Sequence, residues 1–179
     1  MLERIIISGF GGQGVMLMGR LLAYAGMIES KKVAWMPSYG PEMRGGTANC
    51  TVLISTEEIG SPIVSHPKVL IAMNQPSLDK FEQNVNDDGL IIINASLIGR
   101  KLKRKNIAEI RIPADDIAYK LGNSRVANMV VLGAYVEKSG VVKLESIFKA
   151  LEKVLAGKNP KIIELNKVAL RQGGEMVVK

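Results

Sequence analysis

The chain reads Ile5-Ile6-Ile7-Ser8-Gly9-Phe10-Gly11-Gly12-Gln13-Gly14 near its start, and this stretch decides the fold. The β-branched run Ile5–Ile7 predicts a buried strand, and the glycines after it predict a tight turn. Residues 15–28 are apolar around most of the helical circumference, which predicts a helix buried on several sides. A second strand is predicted at Val33–Met36 and is ended by Pro37. This order of elements predicts a βαβ unit with a parallel strand pair.

The rest of the sequence continues the alternation of short apolar strands and helices. Further strands are predicted at Ala48–Ser55, Val69–Met73, Leu90–Ile93 and Ile107–Ile112. Further helices are predicted at Pro76–Asn84, from Pro113 onward, and at Arg125–Ser139, Val142–Ala156 and Pro160–Gln172. This alternation predicts an α/β fold: one doubly wound, mostly parallel sheet with helices on both faces, forming a single domain over residues 1–179.

Composition leaves two explanations open for the apolar character of the chain. Hydrophobic residues make up 47% of the 179 residues, but aromatic residues make up only 4%. Such an aliphatic excess is typical of a parallel sheet covered on both faces, and equally of a large partner interface. The formal charge of +7 favours an acidic protein or a phosphate compound as a partner. No aromatic-interleaved basic stripe indicates nucleic acid. The one charge run, Arg100–Lys105, is interpreted first as solvated surface and alternatively as a surface for an acidic partner.

Cysteine and histidine counts exclude several kinds of site. The chain has one cysteine, Cys50, and one histidine, His66, so an intrachain disulfide is impossible. A structural zinc or a cysteine-ligated iron–sulfur cluster needs about four ligands, which this chain cannot supply alone. Cys50 is interpreted as core packing and His66 as an exposed loop residue, and no catalytic or metal-binding residue is predicted. The start lacks a basic leader before a cleavable apolar segment, and no apolar run reaches the ~18 residues of a membrane helix, so a cytoplasmic location is expected.

The glycine loop has the spacing G-x-G-x-x-G, directly after a strand and before a helix. In that context a phosphate can approach the backbone and lie against the helix N-terminus. The candidate binding residues of the loop are Gly9, Gly11, Gly12, Gln13 and Gly14. The end of the second strand, Trp35–Tyr39, lacks the acid that binds the ribose of NAD, which argues against a dinucleotide. The alternative is that these glycines only permit a tight turn and close packing.

The most distinctive stretch is the loop Pro37–Cys50, rich in glycine and proline. Arg44 can fork onto a phosphate or carboxylate, and Glu42 can pair with Arg44 or accept a backbone N–H. These residues and Tyr39 are candidate ligand contacts, because the loop after the second strand is expected near the glycine loop. An ordinary loop with an internal Glu–Arg pair is the alternative. Asn74 follows an apolar strand, so its amide is expected either to contact a ligand or to cap the next helix.

Several of these stretches together resemble the gamma subunit of 2-oxoacid:ferredoxin oxidoreductases. The resemblance covers nearly the whole chain in the expected order and rests on Gly9–Gly14, Pro37–Cys50, Ile112–Asp115, Leu121–Asn123 and Asn128–Ala134. The sequence of Ser38–Gly46 is most similar to that of subunits assigned to 2-oxoglutarate. The resemblance implies a Rossmann-like domain of the pyruvate/ketoisovalerate oxidoreductase gamma type.

The resemblance also implies a role without redox chemistry of its own. The complete enzyme oxidatively decarboxylates a 2-oxoacid, attaches the acyl group to coenzyme A and passes electrons to ferredoxin. Thiamine diphosphate and iron–sulfur clusters belong to the alpha, beta and ferredoxin-type subunits, and coenzyme A is the one ligand considered for the glycine loop and Arg44. The isolated chain is expected to be inactive and to self-associate through an orphaned apolar interface. The alternatives are a stand-alone nucleotide-binding or NAD-dependent protein, and an assembly subunit without a ligand.

Overall fold

The computed structural model describes residues 1–38 and 47–178, and its strands form one six-stranded sheet. The strands are β1 (Leu2–Phe10), β2 (Lys32–Ser38), β3 (Thr47–Ser55), β4 (Val69–Ala72), β5 (Leu90–Asn94) and β6 (Ala108–Ile112). Their order in space is β2-β3-β1-β4-β5-β6. Strands β1, β4, β5 and β6 are parallel neighbours, and β3 is antiparallel to both β1 and β2. The predicted mostly parallel α/β sheet is therefore confirmed.

The predicted direct pairing of β1 with β2 is wrong. Strand β3 lies between them, opposite β1 from Leu2↔Ser55 to Phe10↔Thr47, and β2 becomes the edge strand. Only residues 39–46 separate β2 from β3 along the chain. A parallel crossover needs about a dozen residues or more, so two strands this close in sequence pair antiparallel. The β3 side chains of Cys50, Val52 and Ile54 then enter the core beneath the first helix.

Helices cover both faces of the sheet, as predicted, but unequally. They are α1 (Val15–Ile28), α2 (Gln75–Phe81), α3 (Ala114–Lys120), α4 (Ala127–Ser139), α5 (Leu144–Val154) and α6 (Pro160–Val178). One face carries the large core under α1, α3, α4, α5 and α6, whereas α2 with residues 82–85 and 95–107 covers the other face with a smaller core. Helix α1 has the predicted bounds, and a 3-10 turn, Ser124–Val126, precedes α4. In the part of the chain described, no helix is long and apolar enough to cross a membrane.

Helices α4 and α6 cross with their backbones in contact. A Cβ atom at Gly133 would lie 1.9 Å from the carbonyl oxygen of Leu170, and one at Gly173 would lie 1.8 Å from that of Val130. Only glycine fits at either position, because protein interiors are close-packed and a carbonyl oxygen cannot move like a flexible side chain. Residues 127–136 of α4 are all buried, which places this crossing at the centre of the large core.

The basic run 100–105 is partly internal: Lys101, Lys103 and Lys105 are exposed, as expected of solvated surface, whereas Arg100 and Arg104 are only half-exposed. Arg100 forms ion pairs with Asp79 and with Glu82, each at 2.7 Å, and Glu82 is 1% exposed. Glu82 also accepts hydrogen bonds from the backbone N–H groups of Lys103 and Arg104. The run therefore fastens residues 95–107 over the thinly covered face of the sheet.

Candidate functional site

The carboxyl ends of the parallel strands meet at one edge of the sheet. Strands β1, β4, β5 and β6 end at Phe10, Ala72, Asn94 and Ile112, and the glycine loop follows β1. Ligands of open α/β sheets bind outside the carboxyl ends of the strands. The predicted ligand-binding residues are therefore expected at this edge.

Gln13 connects the glycine loop to the end of β4. Its Oε1 accepts the backbone N–H of Phe10 at 2.7 Å and the Nδ2–H of Asn74 at 3.2 Å. Its Nε2 donates to the carbonyl oxygen of Met73 at 3.4 Å. The Oδ1 of Asn74 accepts the N–H of Ser77 at 2.9 Å, which confirms the predicted cap of α2. The two predicted amides are thus brought together, and both hold the shape of the loop.

Two of the three motif glycines, Gly9 and Gly14, are tightly packed. Gly9 belongs to β1 rather than to the turn, and a Cβ there would lie 2.9 Å from Met73 and 2.9 Å from Val15. The left-handed turn residues are Gly12, with φ of 93°, and Gly14, with φ of 75°. A Cβ at Gly14 would lie 2.1 Å from the Nδ2 of Asn128, so this glycine packs against the start of α4.

The N-terminus of α1 is suited to an anion. Its N-cap residue is Gly14, no side chain among the described residues caps it, and no acid lies in its first turn. A Cβ at Gly12 would meet no described atom within 4 Å, so the loop surface in front of the helix is open. Free N–H groups and the positive end of the helix dipole both favour negative charge at such a position.

A polar crevice of about 190 Å³ lies between the glycine loop and the start of α4. Its walls are Gly12, Gln13, Met73, Asp115, Ser124, Arg125, Ala127 and Asn128. Arg125 is exposed and forms no ion pair within residues 1–38 and 47–178, so its charge is available to a ligand. Asp115 is a carboxylate on the same wall and opposes an anion placed next to it.

Buried Asn94 controls how that carboxylate is held. Its Nδ2 donates to Oδ2 of Asp115 at 2.6 Å and to the carbonyl oxygen of Met73 at 3.4 Å. Its Oδ1 is buried and has no hydrogen-bond partner among the described residues.

The other side of the glycine loop is mainly apolar. A depression of about 230 Å³ is lined there by Phe10, Gly11, Gly12, Gly14, Val15, Met16 and Ala48. Phe10 is 43% exposed and forms part of this apolar surface. The loop thus separates a polar crevice from an apolar one, which suits a ligand with a charged part and an apolar part. Larger cavities, of about 450 and 420 Å³, lie beside α6 and between α1 and β2, away from this edge.

In the described part of the chain, reactive groups are scarce around this edge. Cys50 is fully buried, its thiol donates to the carbonyl oxygen of Val15 at 3.6 Å, and burial raises the pKa of the thiol to about 12. A thiol with such a pKa stays protonated and is a poor nucleophile, so the prediction of core packing is confirmed. His66 is exposed, as expected. Over residues 1–38 and 47–178, no three His, Cys, Asp or Glu side chains are grouped as a metal site would require.

Three predicted site residues, Tyr39, Glu42 and Arg44, lie outside the described residues, and their roles stay predictions. The structure adds Asn94, Asp115, Ser124 and Arg125, which sequence reasoning did not select. A signal for Asn94 was present, since it ends a buried strand as Asn74 follows one. For the others, the signal would have been their position between β6 and α4, directly across from the glycine loop.

The match to a known family decides the identity of the fold. The family described as POR, pyruvate ferredoxin/flavodoxin oxidoreductase, matches residues 4–176. The chain belongs to this family. The resemblance predicted from the glycine loop and the loop after β2 is therefore confirmed.

Curated relatives in the family carry the names of 2-oxoacid oxidoreductase subunits. Ketoisovalerate oxidoreductase subunit VorA of Methanothermobacter thermautotrophicus is 44% identical over 96% of this chain, which spans 36% of that relative. This chain thus spans about a third of the length of the VorA relatives. 2-Oxoglutarate synthase subunit KorC of Methanothermobacter marburgensis is 34% identical, with 100% of this chain and 98% of the relative covered.

Solved structures agree on the fold. The gamma subunit of a keto/oxoacid ferredoxin oxidoreductase from Geobacter sulfurreducens superposes with a TM-score of 0.84 at 31% identity, covering 98% of each chain. A 2-oxoglutarate:ferredoxin oxidoreductase from Magnetococcus marinus, solved with 2-oxoglutarate, coenzyme A and succinyl-CoA bound, superposes with a TM-score of 0.90. It is 19% identical, and the match covers 99% of this chain and 31% of that one, so it speaks for the fold alone.

Proposed function

We propose that this chain is the gamma component of a cytoplasmic 2-oxoacid:ferredoxin oxidoreductase and that it contributes no reacting group. The observation that carries the proposal is the family match over residues 4–176, supported by the end-to-end match to a KorC subunit. The complete enzyme converts a 2-oxoacid to its acyl-CoA and passes the electrons to ferredoxin. Alpha, beta and ferredoxin-type subunits hold the thiamine diphosphate and the iron–sulfur clusters in this proposal.

The test is reconstitution of the complex with and without this chain. Native extract should yield the chain together with thiamine- and cluster-bearing partners, and the isolated chain should be colourless and inactive with 2-oxoacids. Removal of the chain should abolish turnover, and its return should restore it. A chain that comes out of native extract alone, or that turns over a 2-oxoacid by itself, would contradict the proposal.

The second part of the proposal is that the glycine loop receives the phosphate end of coenzyme A. When bound, coenzyme A supplies the thiol that accepts the acyl group. Its phosphates suit the N-terminus of α1, the surface at Gly12 and the charge of Arg125, none of which is capped, covered or paired by a residue of 1–38 or 47–178. The crevice measures about 190 Å³. Pockets for a whole drug-sized ligand measure roughly 300–1,000 Å³, so this chain would hold only part of the molecule.

Charge removal at the crevice tests this part. Arg125→Ala and Arg44→Ala in the assembled enzyme should each raise the KM for coenzyme A by roughly tenfold, since a hydrogen bond to a charged group contributes about 1.5–3 kcal/mol. Lys101→Ala removes the same charge from an exposed position on the other side of the sheet and serves as the matched control. Unchanged coenzyme A KM values in both arginine variants would mean that this chain does not bind coenzyme A and serves only in assembly.

The substrate is proposed to be 2-oxoglutarate, from the wording of Ser38–Gly46 and the full-length KorC relative. A branched 2-oxoacid is the second candidate, because the VorA relative is more similar in sequence, at 44% identity. Turnover of the assembled enzyme on 2-oxoglutarate, ketoisovalerate and pyruvate separates these candidates. A kcat/KM higher for ketoisovalerate than for 2-oxoglutarate would overturn the first choice.

A further inference from the structure

A third surface of the molecule, the α1–β2 flank, has no role in the proposed site. We define it by the residues around the cavity of about 420 Å³ between α1 and β2: Arg20, Ala23, Tyr24, Met27, Val33 and Trp35. Strand β2 is the edge strand of the sheet, and none of its residues is fully buried. An open sheet edge is a template for pairing with another chain.

The hydrogen-bond pattern of β1 shows which way β3 points its backbone groups. The carbonyl oxygen of Ser8 accepts the N–H of Met73, so even-numbered residues of β1 bond towards β4. Odd-numbered residues therefore bond towards β3, where Ile7 lies opposite Cys50. Because the N–H and C=O of one residue in a strand point to the same side, Cys50 bonds β1 and its neighbour Thr51 bonds β2.

This alternation leaves a regular set of backbone groups on the outer edge of β2. Thr51 lies opposite Met36, so even-numbered residues of β2 bond β3. The N–H and C=O groups of Val33 and Trp35, and the C=O of Pro37, then point away from the sheet. Inside a regular strand, away from its first residue and from bulges, a proline fits where its missing N–H faces outward at an edge. Pro37 therefore continues β2 instead of ending it, and its position agrees with the derived direction.

The outer side of α1 is apolar although no described element covers it. Arg20 is the only charged residue between Val15 and Ile28. Met27 is 61% exposed and Ile28 is 41% exposed, and both lie at the end of the helix that borders β2. A helix that is apolar all round is normally buried all round. In the described part of the chain one side of α1 lacks its cover.

The charge of the flank indicates which kind of partner would bind it. Neither Arg20 nor Lys153 has a carboxylate partner among the described residues, and the Nζ of Lys153 lies 5.0 Å from the centroid of the Tyr24 ring. The nearby carboxylate of Glu29 is already engaged by Lys31 at 2.8 Å. A second copy of this chain would bring the same cations to the same patch, since a two-fold interface joins identical surfaces. The flank therefore favours an acidic partner.

We propose that the α1–β2 flank binds an extended, acidic and apolar segment of another subunit, which adds a strand to β2. Backbone bonds to Val33 and Trp35 hold the segment, one apolar side chain enters the 420 Å³ cavity, and a carboxylate pairs with Arg20. This inference rests on the proposed function in one respect, because the segment comes from a subunit of the same complex.

Residue-resolved hydrogen exchange in the isolated chain and in the assembled complex tests the added strand. The amides of Ala34 and Met36 bond β3 and should exchange slowly in both states. The amides of Val33 and Trp35 should exchange at least roughly tenfold more slowly in the complex than in the isolated chain. A complex in which these two amides stay as fast as in the free chain overturns the inference and leaves the proposed function intact. A chain without partners in native extract overturns both.

Two pairs of variants test the same surface through assembly. Val33→Pro removes an outward N–H from β2, and Glu109→Pro removes one from the opposite edge strand β6, where Ala108 bonds inward to Gly89. Arg20→Glu reverses the charge on the flank, with Lys101→Glu as the control. The two flank variants should weaken partner binding about tenfold or more, which corresponds to about 1.4 kcal/mol, and the controls should leave it unchanged.

Circular dichroism and thermal unfolding show whether each variant folds, and Arg20→Glu keeps the test valid if Val33→Pro does not. Partner binding that is unchanged in Arg20→Glu overturns the inference. So does a stable homodimer of the isolated chain that Val33→Pro dissociates while the complex assembles normally, because the occupant is then a second copy.

Discussion

Glycine serves opposite purposes in the α4–α6 crossing and in the glycine loop. At the crossing, Gly133 and Gly173 have ordinary helical conformations, and a Cβ there would strike the carbonyl oxygen of the other helix. In the loop, Gly12 has a left-handed φ of 93° and open space around the missing Cβ. The first region needs glycine because another backbone occupies the space. The second needs glycine for its conformation and leaves the space free, which is the arrangement a ligand requires.

The largest effect is expected from Gly133→Ala. The added Cβ would lie 1.9 Å from the Leu170 oxygen, so the helices must separate at the centre of the core. Overpacking costs typically 1–3 kcal/mol and occasionally more, so we expect the free energy of unfolding to fall by about 3 kcal/mol. Urea unfolding followed by circular dichroism measures this change.

Gly174→Ala is the matched control in the same crossing. The nearest atom to its added Cβ would be 3.5 Å away, an ordinary contact distance. Alanine is favoured over glycine inside a helix by about 1 kcal/mol, so this variant should be as stable as the parent or more stable. Equal losses in Gly133→Ala and Gly174→Ala would show that the crossing is not the cause.

A smaller loss is expected from Gly14→Ala in the loop. A left-handed conformation costs a non-glycine residue about 1–2 kcal/mol, and the side chain of Asn128 would also have to move. We expect a total loss of about 2 kcal/mol of unfolding free energy. The same substitution should cost less in an Asn128→Ala background, because only the conformational part then remains. A cost that is the same in both backgrounds would mean that Asn128 does not restrict this position.

Gly19 is a further glycine that serves close packing, because it lets α1 approach Cys50 of β3. A Cβ at Gly19 would lie 2.6 Å from the Cys50 sulfur. Burial raises the pKa of this thiol from 9.0 to about 12. The raised pKa means that above pH 9 the unfolded chain loses a proton that the folded chain keeps, so stability falls as pH rises through this range and is retained below it. Between pH 8 and pH 10 the parent should lose about 1 kcal/mol more than Cys50→Ala, measured by urea unfolding at each pH. Equal pH dependence in the two proteins would contradict the raised pKa.

Local patterns predicted the elements well, and contacts between distant elements were harder to predict. Helix α1 has its predicted bounds because a left-handed glycine precedes it and its apolar pattern lasts to Ile28. Helix α6 was predicted to end near Gln172, before Gly173-Gly174, but it continues to Val178. Gly173 lies inside the helix because α6 packs there against the backbone of Val130 in α4, where only glycine fits. No local pattern reveals that contact.

In the candidate site, too, residues in local motifs were predicted and residues brought together by distant elements were not. The loop glycines, Gln13 and Asn74 were found because their motif and strand end are local in the sequence. The pair Asn94 and Asp115 was not, because it exists only where the ends of β5 and β6 meet. The insertion of β3 between β1 and β2 was missed for a related reason: sequence order suggested the neighbour, whereas the short connection determined it.

The smallest stability effect is expected from Gly12→Ala. Its Cβ meets no described atom within 4 Å, so only the left-handed conformation is penalised, by about 1 kcal/mol. If the open space receives a phosphate of coenzyme A, the same methyl group should raise the KM for coenzyme A in the assembled enzyme severalfold, while kcat and the 2-oxoacid KM stay near the parent values. Gly122→Ala is the matched control, since Gly122 also has a positive φ, of 81°, and open surroundings, but does not line the crevice. Equal coenzyme A KM values in the two variants would mean that the open space at Gly12 serves only the turn. The two regions would then differ only in that the helix crossing needs glycine for packing and the loop needs it for backbone conformation.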